Sequence, residues 1–148
     1  MIITYTQDDG TVERIDTDAL SALEAAAIEE AMDDVPWRAI EARLQAQDPT
    51  ALRAIVWAVR RREQPALKFA DFDVPGWRRR LKARLTRDEI GDALTNIMTE
   101  ALSKNEDSMI DAVAPHLRKL ADDPADVDRC LDDLGKGHLT RREKESAD

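Results

Sequence analysis

Asp48-Pro49-Thr50-Ala51-Leu52-Arg53-Ala54-Ile55-Val56-Trp57-Ala58-Val59-Arg60-Arg61 is the stretch on which the fold turns. An aspartate directly before a proline is a helix start: the carboxylate accepts a free backbone N–H, and proline fills the first helical position, where its missing N–H costs nothing. Arginines at the other end suit the negative pole of the helix dipole. Between these ends the residues are apolar around most of the circumference, the composition of a helix surrounded by its own chain. The spacing therefore predicts a core built on Leu52, Ile55, Val56 and Val59, with Leu23, Ala27, Ile40 and Leu44 packed against it.

Upstream, Pro36 marks the first turn of a helix whose Trp37, Ile40 and Leu44 share a face. Asp33-Asp34 ends the helix before that one. Thr17 or Asp18 is its expected cap, and Leu20, Leu23, Ala27 and Ala31 its expected apolar face. The N-terminus alternates instead. Ile2-Ile3-Thr4-Tyr5-Thr6 and Thr11-Val12-Glu13-Arg14-Ile15 are β-prone runs on either side of Asp9-Gly10, a turn dipeptide, so a hairpin is expected. A lone hairpin is marginal in water and must pack on the helices that follow.

Downstream, Pro65 and Pro75-Gly76 flank Phe69-Ala70-Asp71-Phe72-Asp73, which reads as a loop or linker with a domain boundary. Trp77, Leu81 and Leu85 then recur every four residues, as on a short basic helix. Thr86-Arg87-Asp88-Glu89 has the capping-box spacing and opens a helix with Ile90, Leu94, Ile97 and Ala101 on one side, ending near Asn105. A further helix carries Ile110, Val113, Leu117 and Leu120, kinked or broken at Pro115. Asp123-Pro124 caps a last one bearing Val127, Cys130, Leu131 and Leu134, which Gly135 is expected to end. The expected fold class is mainly α: a small N-terminal β-hairpin packed on a helical domain, with a helical C-terminal extension. The expected domains are residues 1–74, 75–139 and a disordered tail over 140–148, where nothing can bury apolar surface.

Among 148 residues, 36% are charged and 4% aromatic, which favours helices and suffices for a core without staples. A single cysteine, Cys130, excludes an internal disulfide and fits a reducing cytoplasm. No apolar run spans a bilayer, and no signal-peptide pattern opens the chain. The net charge of −9 divides into −9 over residues 1–50, +8 over 51–87 and −8 over 88–148. A cationic middle can meet the anionic ends or an acidic partner.

Catalytic and metal chemistry find little support. There is no Gly-x-Ser-x-Gly elbow and no glycine-rich phosphate loop. Cys130 sits on an apolar stripe and reads as a buried thiol, and His116 and His138 are too isolated for a zinc site. Asp8-Asp9, Asp33-Asp34 and Asp122-Asp123 fall at turns or helix starts and Asp132-Asp133 in a last helical turn, all without calcium-loop spacing, and they read as caps or solvated groups. The chain is read as a non-enzyme with no cofactor and no metal. Arg60, Arg61, Arg62, Arg78, Arg79, Arg80, Lys82 and Arg84, with Trp57 and Trp77, could grip a phosphate backbone. A pI of about 4.8 and long acidic flanks weigh against nucleic acid.

Glu24-Ala25-Ala26-Ala27-Ile28-Glu29, then Trp37, then Asp48 to Arg61, then Pro65-Ala66-Leu67-Lys68-Phe69-Ala70-Asp71-Phe72-Asp73-Val74 resemble the tail assembly chaperones of long-tailed phages, over residues 11–74. The resemblance implies a small strand element ahead of helices, one carrying Trp and ending in Arg, followed by an extended Pro/Phe/Asp segment. It implies a non-enzymatic protein that coats the tape measure protein in the host cytoplasm until tube subunits polymerise, and that is absent from the mature virion. The tail tube protein and a second copy of the chain are further candidate partners. A structural virion component, such as a connector or tube-associated protein, is the alternative. A tape measure protein is a long amphipathic helix, so its chaperone should offer an apolar groove with charged margins. Arg53, Trp57, Arg60 and Arg61, about a turn apart on one face, are the candidate contacts, since Trp and Arg are enriched among interface hot spots. The competing reading is that Trp57 packs within its own chain.

Overall fold

The computed structural model describes residues 1–145, with side chains through residue 137. Its chain begins as the alternation requires. Strands β1 (Ile2–Thr6) and β2 (Val12–Asp16) pair antiparallel with Ile3 opposite Ile15. The turn closes through Gly10 N–H to the Gln7 carbonyl at 3.0 Å, with Gly10 at φ +85°, a region glycine enters without steric cost. A third strand, β3 (Leu81–Arg84), pairs with the other edge of β1, giving the order β2-β1-β3. Ile3, Ile15, Leu81 and Ala83 lie buried on one face of this sheet.

Helices α1 (Ala22–Ala31), α2 (Trp37–Gln45) and α3 (Pro49–Arg60) complete the first compact unit, Met1–Arg84. In α3 the Asp48 carboxylate accepts from Ala51 N–H at 2.9 Å and Pro49 takes the first position. Ala51, Leu52, Ala54, Ile55, Val56, Trp57 and Ala58 are all buried, as are Ile40 and Leu44 of α2. Val59 is half-buried. The central-helix expectation holds.

Helix α1 departs from expectation at its cap and its face. Ser21 caps it, exchanging hydrogen bonds with Glu24 at 3.1 and 2.9 Å, because Ser-x-x-Glu satisfies two free donors at once. Thr17 instead lies in a single 3₁₀ turn (Thr17–Ala19), its hydroxyl on the Met1 carbonyl at 3.2 Å. The buried residues are Ile28 and Met32, whereas Leu23 is 83% exposed. The Leu20–Leu23–Ala27–Ala31 stripe is therefore not the core face. Asp33 and Asp34 do break the chain, both at φ 58°. Pro36 is the cap of α2 rather than its first residue, and Glu29 reaches Trp37 N–H at 2.7 Å in place of a capping side chain.

The expected helix through Trp77, Leu81 and Leu85 is one turn, α4 (Trp77–Arg80), followed by β3. Leu81 and Ala83 are buried while Lys82 and Arg84 are half-buried, which is the two-residue period of a strand. The boundary consequently lies between Arg84 and Leu85, not after residue 74. The outer edge of β3 is closed by Gln47, held at φ 59°. Its amide accepts from Ala83 N–H and donates to the Ala83 carbonyl, both at 3.0 Å, as a neighbouring strand would.

The second unit starts at Leu85 and contains α5 (Arg87–Lys104), α6 (Met109–Leu120) and α7 (Ala125–Glu145). Thr86 and Glu89 form the expected capping box, and Asn105 ends α5 at φ 54°. Ile90, Leu94, Ala114, Leu117, Ala121, Val127 and Cys130 make its core. Helix α6 runs through Pro115 without ending. Helix α7 likewise runs past Gly135, which is not at positive φ and so does not form a cap, and the backbone stays helical across 140–145. Residues 146–148 of the expected tail lie outside the described residues. Helix accounts for 61% of the chain, and the fold is mainly α with an N-terminal antiparallel sheet.

Candidate protein-binding groove

The polar face of α3 is spent mostly on its own chain. Arg53 donates through Nη1 to the carbonyls of Phe69 and Phe72, at 2.8 and 2.6 Å, and its guanidinium lies 3.8 Å from the centre of the Phe69 ring. Trp57 is 6% exposed, meets Phe69 edge-on with centroids 5.3 Å apart, and donates from Nε1 to the Leu67 carbonyl at 3.0 Å. Together they fasten the Pro/Phe/Asp segment along α3. That segment is thus not a free linker, and Trp57 is not an exposed anchor: burying both the ring and its N–H requires the fixed acceptor that Leu67 supplies.

The three consecutive arginines that follow diverge, because successive helical positions point about 100° apart. Arg60 binds Glu13 of β2 at 2.6 Å, tying the helix to the sheet. Arg62 clasps both carboxylate oxygens of Glu24, at 2.6 and 3.0 Å, tying it to α1. This bond holds the Glu24 carboxyl down at about 2. Arg61 makes no ion pair with any described residue. Its guanidinium lies 5.0 Å over the Trp57 ring, and its buried Nε has no acceptor.

Arg61 borders an open groove of about 520 Å³ between α1 and α3. One wall is Leu23, Ala26, Ala27 and Glu30 of α1, spaced i, i+3, i+4, i+7 as one helix face. The other is Ala58, Arg61 and Arg62, continued by Pro65. Alanines make the floor shallow, and the exposed Leu23 stands at its side. Of the apolar face of α1 expected inside the core, Leu23 and Ala27 belong to this wall. Of the four candidate contacts, Arg53, Trp57 and Arg60 hold the fold and Arg61 alone lines the groove. Leu23 and Glu30 were missed because a leucine at helical spacing reads as core until the partner helix is placed.

The remaining candidates separate in space or are used locally. In the basic block, Arg80 donates to the Thr6 carbonyl at 2.8 Å and pairs with Asp8 at 2.8 Å, so it braces β1. Asp9 and Asp123 accept from the backbone N–H of Thr11 and Ala125, and Asp133 pairs with Arg87, so these aspartates serve turns, a helix start and an ion pair. Asp132-Asp133 stands inside α7 rather than in its last turn. Cys130 is buried, its Sγ donating to the Arg87 carbonyl at 3.6 Å. His116 is exposed, and the His138 side chain lies outside those described. No group of three or more metal-ligating side chains is found among the described residues. No helix among them is long and apolar enough to cross a membrane. Comparison with known families, curated proteins and solved structures gives no match.

Proposed function

We propose that this chain is a non-enzymatic tail assembly chaperone of a long-tailed phage, which holds the tape measure protein soluble in the host cytoplasm and leaves before the virion matures. The observation that carries the proposal is the α1–α3 groove: a helix face of leucine and alanines left without a partner in its own unit, with charged residues along both walls. A burial-competent stripe rimmed by charge is what an amphipathic client helix requires. The resemblance over residues 11–74 includes both helices that form it.

The test is co-expression with the tape measure protein of the same tail gene cluster, followed by affinity capture. Wild type should retain the client in the soluble fraction. Leu23→Asp should weaken binding by about 2 kcal/mol or more, as loss of a hot spot does, with little change in thermal stability. Failure to capture the client, together with the chain's presence in purified virions, would replace this reading with the structural-component one.

A further inference from the structure

The walls of the groove differ in sign. Glu24 and Glu30 stand on the α1 wall, Arg61 and Arg62 on the α3 wall. Glu24 and Arg62 neutralise each other, which leaves Glu30 and Arg61 as the charges available to an occupant. Glu30 is exposed and enters no side-chain hydrogen bond or ion pair with a described residue. Arg61 is a half-buried cation with a buried nitrogen that lacks an acceptor, on a chain where Arg53, Arg60 and Arg62 are all satisfied.

Resting on the reading above, we infer that the groove takes an amphipathic helix of split flanks, with carboxylates along the edge that meets Arg61 and amines along the edge that meets Glu30. Its apolar stripe lies on Ala26, Ala27 and Ala58, whose small side chains let a helix approach closely, and abuts Leu23. A like-charged pair on either edge is repelled, so flank composition sets which stretch of a long client is held, and in which direction. Because the two edges differ, reversing the helix exchanges its flanks, and only one direction matches both walls.

Three stapled helical peptides with one shared Leu/Ala stripe test this: one flanked by Glu on one side and Lys on the other, one by Glu on both, one by Lys on both. Wild type should bind the split-flank peptide about tenfold more tightly than either other. Arg61→Glu makes both walls acidic and should shift the preference to the all-Lys peptide. Glu30→Arg should shift it to the all-Glu peptide. Glu30 is exposed and Arg61 half-buried, so circular dichroism and a thermal melt check that both variants stay folded. Equal binding of the three peptides, no binding of any, or a preference unchanged by both reversals would overturn the inference. Client capture that is lost in Leu23→Asp but accompanied by no peptide discrimination would leave the chaperone reading standing and remove only the charge rule. Discrimination among peptides without client capture would do the reverse.

Discussion

Arg60, Arg61 and Arg62 carry one side chain in three settings, and neighbours rather than type decide what each does. Trp57 makes the same point more strongly. Buried and bonded through Nε1 to Leu67, it should cost about 3–5 kcal/mol when truncated to alanine. Chemical denaturation measures this, and an unchanged midpoint would mean that the ring is not packed. Glu24 gives a prediction in pH. Its carboxyl is held at about 2 by Arg62 against an ordinary value of 4.5, so the folded state binds its proton less readily than the unfolded state. The stabilisation is therefore complete above about pH 4.5 and fades as pH falls from there through about 2. Arg62 is 53% exposed, so at neutral pH the pair contributes no more than about 1 kcal/mol. In Arg62→Ala the Glu24 carboxyl should titrate at higher pH by NMR, and the stability gap to wild type should close on acidification. Asp48, Thr86 and Asn105 could be assigned from the sequence because a cap acts on backbone within a few residues. The partners of Arg53 and Arg60 could not, being 16 to 47 positions away.

At the scale of elements, the strand β3 was hidden by its own composition. Leu81-Lys82-Ala83-Arg84 is too short to establish a period, and Trp77, Leu81 and Leu85 supply a competing helical one. Pairing with β1 and the amide of Gln47 decide between them. Gln47→Ala should therefore cost about 1–3 kcal/mol, two bonds to Ala83 being lost, and should speed amide exchange in β3 before that in α3. Uniform exchange in the variant would argue against edge closure. The C-terminal helix fails expectation for a different reason. Glycine permits a stop but does not compel one, and Gly135 and Gly137 have ordinary helical backbone with open space where a Cβ would sit. Substituting both by alanine should raise helix content and slow amide exchange around them, each change being worth up to about 1 kcal/mol. Loss of helicity instead would mean that this stretch is not helical in solution.

For the molecule as a whole, the consequence of β3 is a boundary at Arg84. A fragment of residues 1–84 should unfold cooperatively, whereas 1–74 lacks Leu81, Ala83 and a strand of the sheet and should not. Thermal melts of the two fragments decide it; equal cooperativity would return the boundary to the Pro75-Gly76 break. Within the first unit, Ile55→Ala should cost about 2–5 kcal/mol, since Ile55 has no exposed surface in a helix buried on nearly every side. That much was determined by sequence alone: the helical class, the central place of α3, the hairpin, and the starts of α3 and α5, because propensity, capping and the apolar pattern of a single element act over a few residues. The tertiary structure decided which apolar face is core and which is left open. Leu23 and Ile28 lie on the same helix, and only the packing of α1 against α3 and α2 decides that Ile28 is buried while Leu23 is left beside the groove. It also decided that the arginine and tryptophan of α3 hold a segment of their own chain, because burial is a property of where distant residues meet.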